Sequence, residues 1–203
     1  MMSIKRLAAA ALATMLLAGT ATAGTILVDF ETTPGADGKL GTADDLPMSN
    51  DWMQAIGNDL SSAGITFTQG TLFTGSFFDG NPNNHFLSST SPIGSFSVPV
   101  YGISIESYSL WNATLYAYDS HGNVLASDHL VNSTGDWLRQ TLSLTSTQAI
   151  AGFAVLPDQN GQILNLDNMR LITGPSPVPE PSSLAMMAGG LSLLAWRRRA
   201  ARK

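Results

Sequence analysis

The chain has 203 residues, is 44% hydrophobic, lacks cysteine and carries a formal net charge of −5. That length suits one ordinary domain with peripheral segments, and the absence of cysteine excludes disulfide staples, thiol catalysis and cysteine-ligated metals. The basic residues are concentrated at the two ends. Between them, three (Lys39, Arg139 and Arg170) stand against all fifteen acidic residues, a balance of −12 that excludes nucleic acid as a partner, because phosphates require a basic face.

Lys5 and Arg6 precede an apolar run at 7–19, and Ala21-Thr22-Ala23 supplies small residues for cleavage. This order of charge, apolar core and small exit predicts a secretory signal peptide over 1–23, removed after Ala23.

The body, 24–173, reads as short strands separated by turns. Strands are expected at 25–31, 64–70, 71–78, 103–109, 113–119, 124–130, 138–145, 150–156 and 163–171. Leu115 and Ala117 alternate with Thr114, Tyr116 and Tyr118, and Leu138, Leu142 and Leu144 share a face. Period-two alternation, β-branched and aromatic enrichment and frequent turn residues predict an all-β, antiparallel sandwich of jelly-roll-like form. Only 51–60 has helical spacing, with Trp52, Ile56 and Leu60 four apart.

A proline-rich spacer occupies 174–181, and the tail occupies 182–203. The apolar run at 184–196 would span about 20 Å as a helix, against a bilayer core of about 30 Å. Arg197, Arg198 and Arg199 follow it at once, and by the positive-inside rule they stop in the cytoplasm with the body outside.

Val178-Pro179-Glu180-Pro181, the short apolar run and the terminal arginines together resemble the PEP-CTERM sorting signal of Gram-negative bacteria. The resemblance covers the last 26 residues or so. It implies recognition and processing by a membrane-embedded exosortase, with Pro179, Glu180 and Pro181 as the recognition motif and Arg197, Arg198 and Arg199 as the cytoplasmic stop. It further implies transient residence in the inner membrane, then release to the cell surface or extracellular matrix in association with exopolysaccharide or biofilm.

Two places in the body suit calcium, a hard cation that takes several oxygen ligands. One is the glycine-rich loop at 35–45, with Asp37, Asp44 and Asp45. The other joins the ends of the body: Glu31 closes the first strand in VDFE, and Asp167 lies in LDNMRL of the last. These segments loosely resemble jelly-roll carbohydrate-binding modules, in which neighbouring first and last strands share a structural calcium. Trp52, Trp111, Tyr116, Tyr118 and Trp137 are the candidate glycan platform, with Tyr101 and Tyr108 also available, since flat rings stack on sugar faces. The polar loop at 77–89, with Asp79, Asn81, Asn83, Asn84 and His85, offers amide ligands or is a plain connection. The three histidines are separated, and no H-E-x-x-H, G-x-S-x-G or phosphate loop is present. Sequons occur at Asn112 and Asn132 and read as chance. The sequence therefore predicts a non-catalytic exported protein that contacts polysaccharide. The alternatives are a carbohydrate-active enzyme using two carboxylates, or an adhesive protein with no sugar site.

Overall fold

The computed structural model describes residues 23–48, 53–76, 78, 80 and 84–174. They belong to one compact unit, Ala23–Gly174. The signal peptide, Trp52, the sorting motif and the arginine cluster lie outside the described residues.

The unit is an all-β sandwich. Its strands are β1 (Gly24–Val28), β2 (Thr32–Thr33), β3 (Leu46–Pro47), β4 (Gln54–Ala55), β5 (Ile65–Thr74), β6 (His85–Ser109), β7 (Ala113–Tyr118), β8 (Val124–Leu130), β9 (Leu138–Pro157) and β10 (Leu164–Thr173). The main hydrogen-bonded path runs β1-β10-β6-β9-β7-β8, with β5 also on β6 and β4 on β5. β2 and β3 form a separate two-stranded ribbon around the 34–45 loop.

Two long strands fold this sheet over. β6 has 25 residues and β9 has 20, far beyond the usual strand length of about 5–6. The first half of β6 pairs with β5, and its second half pairs with the first half of β9. The second half of β9 pairs with β7. The sequence divides β9 into two strands at 145–150 and hides the first half of β6 altogether. Serine, proline and glycine dominate 88–99, and these residues are poor strand formers. The structure puts the prolines where ladders break. Pro92 lies beside the register shift between β5 and β6, and Pro99 lies in the gap between the Ser95↔Gly152 and Val100↔Ile150 pairs. A proline lacks the N–H that a ladder needs, so it is tolerated at such interruptions.

The expected helix at 51–60 does not form in its described part. Residues 54–55 are β4, residues 57–60 are turn, and one 3-10 turn follows at Ser61–Ala63. Met53 and Gly57 have φ of 66° and 43°, which a right-handed helix forbids. Ile56 and Leu60 are fully buried, so their apolar spacing serves the sandwich core instead of a helix face.

The core follows the alternation. Ala113, Leu115 and Ala117 are fully buried on β7, as are Ile105 on β6 and Leu142 on β9. Phe153 is central. Its ring meets Phe67 edge-on at 5.7 Å and stacks on Phe96 at 5.5 Å. Gly94 makes room for it, because a Cβ there would lie 2.5 Å from Phe153 Cε1. Asp128 of β8 reaches the adjacent part of β9, where its Oδ2 accepts the Ser143 amide at 2.7 Å.

β10 holds the sandwich together at its middle. Leu164, Asn165 and Leu166 pair with Ser89, Ser88 and Leu87 on one edge, while Asn165, Leu166 and Asp167 pair with Tyr108, Ser107 and Glu106 on the other. Partner numbers descend as β10 ascends on both edges. From Met169 onward the first edge belongs to β1, through Val28↔Met169 to Gly24↔Thr173. Between these two regimes Asn168 adopts φ 49°, the left-handed conformation that asparagine tolerates better than most residues.

Phe153→Ala is expected to cost about 3–5 kcal/mol by leaving a cavity among fixed neighbours, read as a lower urea midpoint with an unchanged slope.

Candidate functional site

The place where β10 exchanges one neighbour for another gathers the end of β1, the start of β6 and the β10 bulge. Glu31 follows β1 after Phe30, a fully buried residue held at φ 60°. Its Oε1 accepts the His85 backbone amide at 2.7 Å, and its Oε2 lies 2.8 Å from His85 Nδ1. Asp167 is 1% exposed. Its Oδ1 accepts the Asn168 amide at 2.7 Å, and the Asn84 side chain also hydrogen-bonds to it.

Three buried polar atoms at this junction have no protein partner: Asp167 Oδ2, Asn84 Oδ1 and His85 Nε2. A buried, unsatisfied polar group is costly and calls for an explanation. The Asp167 carboxyl is pushed up to about 7, first by burial and then by the nearby charges of Glu31 and Glu106, against the pull of the Asn168 and Asn84 hydrogen bonds. Such a group is relieved by a proton or by a cation. Asp167 Oδ2 and Asn84 Oδ1, with Glu31 beside them, are the oxygen donors that a hard cation takes. Among the described residues no three histidine or acidic side chains converge on one metal position, so any such ion here would draw on amide or backbone oxygens as well.

Beside this junction lies an aromatic surface. On β6, Ser104, Glu106 and Tyr108 alternate with the buried Ile105, Ser107 and Ser109. Asp167 pairs with Glu106, and Tyr108 pairs with Arg139 of β9. Directly paired residues share a sheet face, so these four side chains point the same way. Trp137, just before β9, stacks on Tyr108 with ring centroids 5.2 Å apart and planes 15° apart. Trp137 is 43% exposed. The aromatic run continues inward from Tyr108 to the buried Phe78 and on to Phe86 and Phe73.

Arg139 ties this surface to the junction. Its Nε donates to Glu106 Oε2 at 3.0 Å, its second terminal nitrogen donates to the same oxygen, and its first donates to the Phe78 carbonyl. The guanidinium also lies 5.8 Å from the centre of the Phe78 ring. Asn168 Nδ2 donates to Glu106 Oε2 at 3.0 Å. Glu106, Arg139 and Asn168 were not selected from sequence, whereas Asn84 was, as an amide of the 77–89 loop. The alternation that places Tyr108 outward places Glu106 with it, and that was the available signal.

The remaining candidates are dispersed. Tyr116 and Tyr118 stack on each other at 6.3 Å on β7, away from this junction in the sheet order. Trp111 is 39% exposed, next to Asn112. Asp37, Asp44 and Asp45 serve their own loop. Asp44 Oδ1 accepts the Thr42 hydroxyl at 2.7 Å, Asp44 Oδ2 accepts the Asp37 amide, and Asp45 Oδ2 accepts the Gly41 amide at 2.7 Å. The Thr42 bond, followed by the Asp37 amide, holds Asp44 below the usual carboxylate range. The sequons have a structural use. Asn112 Oδ1 accepts the Asn132 amide and its Nδ2 donates to Asp158, while Asn132 Nδ2 donates to the Ser109 and Asp136 carbonyls. Asp79, Asn81 and Asn83 lie outside the described residues.

Known proteins bear mainly on the end of the chain. Residues 177–199 match the PEP-CTERM protein-sorting motif. The PEP-CTERM motif implies an exported protein that transits the membrane and is processed by an exosortase. No curated protein matches the chain. Solved structures with some likeness include the K2 cleaved adhesin domain of Lys-gingipain, at 9% identity and TM-score 0.43 over 73% of this chain and 99% of that one. A family 29 carbohydrate-binding module matches at 10% identity and TM-score 0.41, covering 75% of this chain and 94% of the module. An arabinose-bound GH51 α-L-arabinofuranosidase matches at 16% identity and TM-score 0.40 over 63% of this chain but 26% of the enzyme. Scores this low carry no argument about activity, and the fold assignment rests on the strand pairing itself.

Asp167 gives stability an unusual pH dependence. Its folded carboxyl keeps its proton up to about pH 7, while the unfolded one loses it near 3.8. Between those values the folded state binds more protons, so this group lowers stability as pH rises, by on the order of 4 kcal/mol across the window. In chelator, Asp167→Asn is expected to flatten this fall, measured by urea unfolding at pH 4, 5.5 and 7.5.

Proposed function

We propose that this chain is a non-catalytic, exosortase-processed surface or extracellular-matrix protein whose sandwich binds exopolysaccharide on the Tyr108–Trp137 face. The observation that carries the glycan reading is the near-coplanar Trp137–Tyr108 pair, set beside Arg139 and Glu106. Stacked rings supply the flat apolar area that a sugar face covers, and the flanking charged groups supply hydrogen bonds that fix its orientation. The sorting motif supports delivery to the outside.

Calcium is the cation we assign to the Glu31, Asn84 and Asp167 oxygens. It would offset the repulsion among the three neighbouring carboxylates and lock the start of β6 to β10. Two features support a binding role over a hydrolytic one. Asp167 is sealed from solvent, and Glu106 is held by Arg139 and Asn168, whereas a glycosidase presents both carboxyls to its substrate.

Trp137→Ala is expected to weaken binding of the full chain, held in detergent, to cell-free exopolysaccharide. A central aromatic anchor is worth about 2 kcal/mol, or roughly thirtyfold in Kd. Tyr116→Ala should leave binding unchanged, and equal losses in both variants would sink the assignment of the face. About 1 mM calcium, within the range typical of extracellular sites, should raise Tm at pH 7.5, and Asp167→Asn should abolish that rise. Replacing Pro179, Glu180 and Pro181 by alanine should leave Lys203 on the protein, detected by intact mass of the membrane fraction.

A further inference from the structure

The Tyr108–Trp137 face extends beyond its aromatic end. On β6 the outward row runs Ser104, Glu106, Tyr108, alternating with buried residues. Register carries that row across the neighbouring strands. Arg170 of β10 pairs with Ser104 on one side and with Leu27 of β1 on the other. Ser143 and Thr141 of β9 pair with Ser104 and Glu106. Paired residues share a face, and Arg170, Thr141 and Ser143 are all exposed. The aromatic pair therefore continues into an open, hydroxyl-bearing strip that ends at Arg170. That end is four residues of strand from Tyr108, or about 13 Å.

Charge singles out this strip. The body has three basic residues against fifteen acidic ones, and two of the three, Arg139 and Arg170, lie here. The carboxylates that pair into the strip are Glu106 and Asp167. Asp167 is sealed from solvent, and Glu106 is engaged by Arg139 and Asn168. At the margins, Asp128 is engaged by the Ser143 amide, and Asp136 adjoins Trp137, at the end away from Arg170. Arg139 is itself engaged by Glu106 and the Phe78 carbonyl. Among the described residues the Arg170 guanidinium has no ion-pair partner. An acidic body repels a polyanion, and on this strip the polyanion meets a free guanidinium whose planar fork fits a carboxylate.

We infer that this face selects an acidic polysaccharide, one that bears carboxylates, and that Arg170 determines the selectivity. This rests on the glycan-face reading above and adds the charge class of the polymer and a second point of contact. Trp137 and Tyr108 stack on one sugar, the Ser104, Thr141 and Ser143 hydroxyls line the path, and Arg170 holds a carboxylate further along. A separation of about 13 Å exceeds one pyranose ring, so the two contacts require a chain of sugars.

The test titrates the full chain in detergent with cell-free exopolysaccharide, and with the same polymer after its carboxyl groups have been reduced to alcohols. The native polymer is expected to bind about tenfold more tightly than the reduced one, the ordinary worth of one charge-assisted contact. Arg170→Gln should bring the native polymer down to the affinity of the reduced one and leave the reduced one unaffected. Arg170→Lys, which keeps the charge without the fork, should recover part of the preference. Lys39→Gln removes the same charge from the separate 35–45 loop and should change neither affinity, which distinguishes a contact from an effect of net charge. Equal affinity for the two polymers, or tighter binding of the reduced one, overturns the selectivity while leaving the glycan face intact. So does an equal loss in Arg170→Gln and Lys39→Gln. Failure of both polymers to bind the unaltered protein overturns the face and its charge class together.

Discussion

One buried carboxylate organises this molecule. Asp167 sits where one edge of β10 passes from the start of β6 to β1 while the other edge stays on β6 as far as Val100, and the ladder is irregular at that exchange. Asn168 absorbs the break in a left-handed conformation. Asp167 Oδ1 caps the freed amide. The second oxygen is left buried without a partner, under the nearby charges of Glu31 and Glu106, and such a state is costly unless something compensates it. The charged groups around it are arranged accordingly: His85 against Glu31, and Arg139 and Asn168 against Glu106.

The same exchange explains why the aromatic surface lies where it does. β6 passes β10 twice, once at Leu87–Ser89 and again through Tyr108, Ser107 and Glu106. The two passes bring Phe86 and Tyr108, far apart in sequence, onto one aromatic run with Phe78 between them. Among the described residues, the pair on β7, Tyr116 and Tyr118, has no comparable charged frame.

Much of this was legible in the chain and some was not, for identifiable reasons. Strands whose faces differ in polarity, such as β7 with Ala113, Leu115 and Ala117, declare themselves through alternation. Glu31 and Asp167 were legible as a pair because the ends of a sandwich domain tend to be neighbours. The first half of β6 was illegible because it is buried on both sides at His85–Ser88 and interrupted by proline at its ladder gaps. Residues 53–60 misled because Ile56 and Leu60 are core residues whose helical spacing is incidental, while the left-handed φ of Met53 leaves no trace in the sequence. In the Asp37–Asp44–Asp45 loop the carboxylates that the sequence offers to a cation also close turns with the loop's own amides.

The pairing of Gly24 with Thr173 sets a limit on maturation. Every rung holding β1 is supplied by the last five residues of β10, so the first strand of the fold depends on the final stretch of folded chain. Only five residues separate Thr173 from Pro179, at most about 18 Å of extended backbone. A processing enzyme that cuts within this spacer leaves the sandwich whole. One that cuts a few residues upstream removes the Gly24↔Thr173 and Thr25↔Ile172 rungs first. The rungs next to the spacer are therefore the first that misplaced trimming would remove.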